Sequence, residues 1–316
     1  MMYAALRAAA CLLGSGGALL LIWRYLLRRL FFRRGGLRRL AKSAVVVTGC
    51  DTGFGKLIAL RMHELGATVY AGCISKTSCD ALNKGHKNMR AFLCDVTKDD
   101  DVAKCLARVR EGGLPLLALV NNAGISAFGW AEALDLKTYR RNMDVNFFGT
   151  IRMTKALLPL LRKNRGSRLI NMGSIGARMP SAFGSAYLST KAAMCSYSDS
   201  VRQEMHRFDV HVALIEPGFF ATGLLAAGAA AGGADSLSSG YPDYADKMAR
   251  TAEPIRLMEW LNGYDCEWVI DSVVDSAVNR FPLARYTVGY DARLIRHLLV
   301  FVPSWIIDLV QTLQDK

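Results

Sequence analysis

The chain is predicted to fold as an α/β domain on one doubly wound parallel sheet, and three observations predict it. Short aliphatic runs such as Ala44-Val-Val-Val-Thr48 recur along the sequence, with the character of strands buried on both faces. Longer stretches of helical periodicity stand between them, so strand and helix alternate. A glycine turn, Gly49-Cys-Asp-Thr-Gly53-Phe-Gly55, joins the first such strand to the first such helix.

The elements follow in order. Strands are expected at 44–48, 68–74, 89–94, 116–120, 168–172, 211–215 and 285–288. Helical patterns run over 57–65, around 79–82, over 99–110, over 139–161 with Asn146 inside, over 182–208 and over 269–279. Doubly wound sheets gather ligands at the carboxyl ends of their strands. Each polar motif falls there or on the following helix: the glycine turn, Asp95 after the third strand, Asn121-Asn-Ala-Gly124 after the fourth, Ser174 after the fifth and Pro217-Gly218 after the sixth. A strand, a glycine turn and a helix N-terminus together suit a pyrophosphate, because backbone amides can approach it closely.

The chemistry concentrates between Ser174 and Lys191. Tyr187 and Lys191 are four apart, so on a helix they share one face. A phenol with a pKa near 10 is a poor base, but a neighbouring cation favours its anion and brings proton exchange within reach. The loop after the fifth strand can bring the Ser174 hydroxyl beside it. Phe128, Trp130, Met179 and Phe183, near strand ends, are candidates for an apolar pocket or for ordinary packing.

Composition locates the remaining parts. The formal charge of +13 suggests nucleic acid until it is placed: nine basic residues and no acid precede residue 44. The rest of the chain is ordinary in charge, which argues against a nucleic-acid partner. Residues 8–22 are uncharged and mostly apolar, and the run reaches Leu27 if Arg24 snorkels. A signal anchor, a cleaved secretory peptide and a mitochondrial presequence compete for this segment. Basic residues after the apolar run favour an anchor with residues 24 onward in the cytosol, and mitochondrial import ranks second. Eight cysteines lack zinc-ligand spacing or a paired framework, so no metal is expected. The expected organisation is an anchor and basic flank at 1–43, a catalytic domain at 44–296 with a lid at about 219–265, and an apolar tail at 297–316. That tail suits a membrane interface, the domain surface or a second subunit in a homo-oligomer.

Thr48-Gly-Cys-Asp-Thr-Gly-Phe-Gly55, Asp95, Asn121-Asn-Ala-Gly124, Asn146, Ser174, Tyr187-x-x-x-Lys191 and Pro217-Gly218 with Thr222 resemble the motifs of the short-chain dehydrogenase/reductase family over residues 44–218, and more loosely to about 312. The family's fold is the Rossmann sheet. Val145-Asn-Phe-Phe-Gly-Thr, Ile215-Glu-Pro-Gly-Phe-Phe and the stretch from Pro282 look like its membrane-associated branch. That branch includes retinol dehydrogenases, oxidative 17β- and 11β-hydroxysteroid dehydrogenases and 3-hydroxybutyrate dehydrogenase.

The resemblance implies roles. Tyr187 is the acid/base, Lys191 lowers its pKa and holds the nicotinamide ribose, Ser174 orients the substrate oxygen and Asn146 holds a proton-relay water. The cofactor segments are Gly49, Asp51, Thr52, Gly53, Phe54 and Gly55 in the glycine turn, Cys73 at the end of the second strand, Asp95 and Val96, Asn121, Ala123 and Gly124, and Pro217, Gly218 and Thr222. Cys73 stands where NAD-preferring members carry Asp, so that marker is silent. Asp51 opposes a 2′-phosphate, whereas Lys76 argues for one. NAD is the expected cofactor, with NADP left open. The expected activity is oxidation of a hydrophobic steroid or retinoid alcohol by an enzyme of the endoplasmic reticulum membrane. A mitochondrial 3-hydroxybutyrate dehydrogenase is the alternative, and a catalytically silent nucleotide-binding protein is the reading from another class.

Overall fold

The computed structural model describes residues 33–179, 181–224, 227, 228, 262 and 266–298. Helix α1 (Arg33–Leu40) leads into β1 (Ala44–Thr48), followed by α2 (Gly53–Glu64), β2 (Thr68–Cys73), α3 (Lys76–Asn83), β3 (Met89–Leu93), α4 (Asp99–Glu111) and β4 (Leu116–Asn121). Then come α5 (Leu136–Met143), a π-helical turn (Asp144–Phe148), α6 (Gly149–Lys163), β5 (Ser167–Met172), α7 (Ser185–Met205) and β6 (Val210–Pro217). The last described elements are α8 (Glu267–Val278), β7 (Arg285–Val288) and α9 (Tyr290–Leu298).

The seven strands form one sheet in the order β3-β2-β1-β4-β5-β6-β7, and every pairing is parallel. The order reverses between β1 and β4, which opens a crevice at their carboxyl ends. Side chains alternate across the sheet with a period of two. Val45 and Val47 of β1 join the core under α1, α2, α3 and α8, while Ala44 and Val46 join the core under α4, α6 and α7. Both faces of the central strands are covered, so β1 and β4 read as continuous apolar runs, whereas the edge strands β3 and β7 are buried only in part.

Two expected helices differ in detail. The rod expected over 139–161 contains the π turn, closed by a hydrogen bond from Gly149 N to Asp144 O. The helix expected from Ala182 begins at Ser185, and its last three residues, His206–Phe208, tighten into a 3₁₀ turn. The anchor at 8–27, most of the lid and the tail beyond Leu298 lie outside the described residues. Among the described residues, no helix is long and apolar enough to cross a membrane.

Candidate active site

The carboxyl edge is joined first by polar side chains at strand ends. Thr48 Oγ1 accepts hydrogen bonds from Asn122 N and Ala123 N, both at 3.0 Å. The Asn122 amide returns hydrogen bonds to Thr48 O at 3.0 Å and Gly49 O at 3.1 Å. Thr48 and Asn122 thus tie the ends of β1 and β4 together beneath the crevice, a role that neither residue's type announces in the sequence. Asn121 points the other way. Its amide donates to Thr154 Oγ1 at 3.1 Å and Asn171 Oδ1 at 2.9 Å, and Asn171 passes the chain on to Ser198. Buried in this network, Asn121 serves the sheet and does not face the crevice.

The glycine turn fits a dinucleotide phosphate. Gly49 and Gly53 adopt φ of +69° and +55°, values that side chains resist. A β-carbon at Gly49 would approach Ala123 Cα to 2.7 Å, and one at Gly55 would collide with the Gly49 carbonyl. Helix α2 starts at Gly53 with no side-chain hydrogen bond from its N-cap Thr52, so its first amides keep their donors for an anion. Thr222 lies over Gly53, its Cβ 3.5 Å from where a β-carbon would stand, so it covers the turn. Phe54 packs edge-on against Phe220, with centroids 5.9 Å apart, which holds the segment after Gly218 against α2. Pro217 and Gly218 pass beneath Asp291 of α9, whose carboxylate accepts Phe219 N at 2.8 Å.

Other expected cofactor residues are placed differently. The Cys73 thiol is buried among the side chains of the first core, so only its backbone belongs to the sheet edge. Its pKa is raised by burial and by nearby Asp51. Asp51 instead reaches across, accepting Ile74 N and Ser75 N, each at 3.0 Å, which fixes a carboxylate at the end of β2. Lys76 pairs with Asp80 at 3.9 Å on an exposed surface. Asp95 turns onto its own loop, accepting Thr97 N at 3.0 Å and Thr97 Oγ1 at 2.7 Å, with Lys98 at 3.6 Å. Burial raises its pKa, but these hydrogen bonds and the lysine outweigh burial and hold it below the usual value. Val96 is buried against Gly149.

The residues expected to handle protons converge. Tyr187 and Lys191 are both buried on α7, and the lysine Nζ lies 5.6 Å from the phenol ring centroid. That ammonium donates to Met172 O at 2.8 Å. Burial pushes the Tyr187 phenol up to about 12, opposed by a hydrogen bond with Ser174. Burial likewise brings Lys191 down to about 8, with nearby Cys195 opposing. The expected lowering of the phenol pKa by Lys191 is therefore absent from the ligand-free balance, because desolvation dominates and the ammonium is held by a carbonyl oxygen on the ring's face.

Asn146 occupies the π turn. Its Oδ1 accepts Ile125 N at 2.8 Å, and its amide donates to Ile125 O at 2.8 Å and Thr190 Oγ1 at 2.9 Å. Asn146 therefore locks the loop after β4 to the helix of Tyr187. Gly124 lies against both groups: a β-carbon there would stand 3.3 Å from Asn146 Oδ1 and 3.8 Å from Lys191 Nζ.

An aromatic wall borders the phenol. Phe128 and Tyr187 ring centroids are 5.9 Å apart, and Trp130 meets Phe183 edge-on at 4.8 Å. Phe183 holds φ of 65°, a conformation that costs a bulky residue energy and that a hydrogen bond from Gly129 N to Phe183 O secures. Met179 is half-buried outside this cluster.

A seat for a dinucleotide and a phenol able to exchange a proton, set along one edge, together serve hydride transfer at a carbon bearing oxygen. The family model for short chain dehydrogenases matches residues 43–231, and the chain belongs to that family, as an oxidoreductase acting on CH–OH groups. It is 34% identical over 301 residues to retinol dehydrogenase 16 of Mus musculus, covering 92% of this chain and 94% of the relative. It is 40% identical over 187 residues to the mitochondrial D-beta-hydroxybutyrate dehydrogenase of Rattus norvegicus, covering 56% of this chain and 54% of that one. Among solved structures it resembles a short-chain dehydrogenase from Streptomyces avermitilis, with TM-score 0.68, 28% identity and coverage of 81% and 92%. It also resembles a Brucella melitensis 3-ketoacyl-(acyl-carrier-protein) reductase complexed with NADH, with TM-score 0.56, 26% identity and coverage of 58% and 78%. A serine dehydrogenase complexed with NADP+ has TM-score 0.57, 28% identity and coverage of 63% and 81%.

Proposed function

We propose that the chain is an NAD-dependent dehydrogenase that interconverts a hydrophobic alcohol, a steroid or retinoid, and its ketone or aldehyde, anchored in the endoplasmic reticulum membrane by residues 8–27. The observation that carries this reading is the buried Tyr187 phenol, paired with Ser174 on one side and bordered by Phe128 on the other. An apolar alcohol can rest on the wall of Phe128, Trp130 and Phe183 while its oxygen meets the serine and tyrosine hydroxyls. Ser174 orients that oxygen, and Tyr187 takes or returns its proton. Lys191 offers its ammonium to a ribose hydroxyl, and Asn146 keeps the loop after β4 in register with α7. The nicotinamide group supplies the hydride acceptor when bound.

NAD is favoured by the fixed Asp51 carboxylate at the end of β2, which would repel a 2′-phosphate. The similarity to retinol dehydrogenase 16 spans 92% of the chain, which supports the lipophilic substrate class. The rival, 3-hydroxybutyrate, draws on the higher identity over 187 residues. A panel of retinol, 17β-hydroxysteroids and 3-hydroxybutyrate, run with NAD and NADP on the full chain in membranes, tests the proposal. Oxidation of a steroid or retinoid with NAD, in a carbonate-resistant membrane fraction, is the expected result. Turnover of 3-hydroxybutyrate in the mitochondrial matrix would overturn it.

A further inference from the structure

All seven strands point the same way, so the segments that lead into them line one edge of the sheet. These segments carry Lys42, Lys84, Lys87, Arg165, Arg207 and Arg280, and Asp209 is their only acid. The six cations are exposed and spread across the sheet from β3 to β7. Asp209 is spoken for, lying 3.7 Å from Arg165 and 3.4 Å from His211. Two large apolar side chains stand exposed on the same edge, Phe281 at 51% and Leu283 at 42%. Cations around protruding apolar side chains suit an anionic lipid surface, where the charges meet headgroups and the rings enter the interface.

Chain length points the same way. Only residues 28–32 separate the end of the apolar run at Leu27 from α1, so the tether reaches at most about 20 Å. Helix α1 passes straight into β1 at the basic edge, and Arg39 fastens it to Asn164 and to the carbonyls of Arg165 and Gly166. We infer that the amino edge of the sheet rests on the anionic surface of the bilayer that holds residues 8–27, with the catalytic edge turned away from the anchor's point of entry. This rests on the membrane reading above. Nucleic acid, another polyanion, accounts for neither the protruding apolar pair nor the tether.

The test places the full chain in nanodiscs of phosphatidylcholine with or without phosphatidylserine, together with a photoactivatable lipid, and maps the labelled peptides by mass spectrometry. Label is expected at 8–27 and at 162–165, 206–208 and 280–283, the latter three increasing with phosphatidylserine. The triple variant Lys42→Glu, Arg165→Glu, Arg207→Glu should lower their labelling roughly tenfold while the unfolding midpoint holds, since each cation near an anionic surface contributes to attraction. Label at 8–27 with none at the basic edge, or label in the folded domain confined to the exposed apolar side chains Trp268, Tyr290 and Leu294 beyond the carboxyl end of β7, overturns the orientation alone. No label at 8–27 overturns the membrane reading, and the orientation with it.

Discussion

The two edges of the sheet are built on opposite plans. At the amino edge, side chains fasten backbone to backbone: Arg168 donates to Ser276 O at 2.9 Å and Asn279 O at 2.7 Å, and Arg39 holds the segment before β5. At the carboxyl edge, side chains are removed or aimed at one another. The glycine turn lacks β-carbons, Asp51 and Asn146 brace loops, and the described segments leaving the strands carry Asp51, Asp95, Glu132 and Asp135 against Lys98 and Arg178. One edge spends its polar groups on holding the fold. The other leaves donors, a phenol and an ammonium incompletely committed, and chemistry needs that incompleteness.

The sharpest way to break the comparison is at the phenol. Tyr187→Phe should lower kcat roughly 10³-fold, the range for loss of a positioned acid/base, while dinucleotide affinity by fluorescence titration stays within about twofold. An equal loss of affinity would mean that the tyrosine belongs to the binding framework. Next comes a place where the carboxyl edge behaves like the amino edge. Glu216, fully buried, accepts Arg178 Nε at 3.0 Å and Arg285 NH1 at 2.8 Å, and Arg285 goes on to Asp199. Glu216→Ala should cost about 2 kcal/mol in urea unfolding, because Arg285 and Arg178 each lose a charge-assisted hydrogen bond while Arg285 keeps Asp199.

At the amino edge, Gly36→Ala puts a β-carbon into the Val278 carbonyl and should cost about 2 kcal/mol as α1 shifts off α8. Its dinucleotide affinity should be unchanged, which separates the edges cleanly. An effect of similar size concerns Lys191. Its pKa is depressed from 10.5 to about 8 in the folded chain, so between these values the unfolded chain binds more protons and stability rises with pH. Relative to Lys191→Met, the ligand-free protein should gain on the order of 2 kcal/mol between pH 8 and 10. Tyr187, raised from 10 to about 12, acts with the opposite sign above that window. A flat difference between the two proteins would mean that the ammonium keeps its water.

Much of this was legible beforehand because it is local. Apolar runs mark the central strands, and the spacing of Tyr187 and Lys191 places them on one face of α7 without any tertiary knowledge. Cys73 and Asn121 show where that stops. Each stands at a strand end, but which way its side chain points depends on pleat and register against strands far along the chain. The bonds of Thr48 and Asn122 are out of reach for the same reason, since they join residues more than seventy positions apart. The balance of pKa values at Tyr187 was also out of reach, because desolvation depends on what covers the phenol and not on its neighbours in sequence.

The π turn at Asp144–Phe148 gives this enzyme a sensitivity to counting. It adds one residue to a helix that is otherwise α-helical from Leu136 to Lys163, so the two halves are out of phase with a regular rod. The second half is pinned by Met153, Leu157 and Leu161 in the core, and Asn146 is pinned at the catalytic edge by Ile125 and Thr190. Removing a single residue here would leave a smoother helix, but would swing one half by about 100° relative to the other. Substitutions along this stretch can be absorbed one side chain at a time. A deletion cannot, so here the number of residues constrains the enzyme more tightly than their identities do.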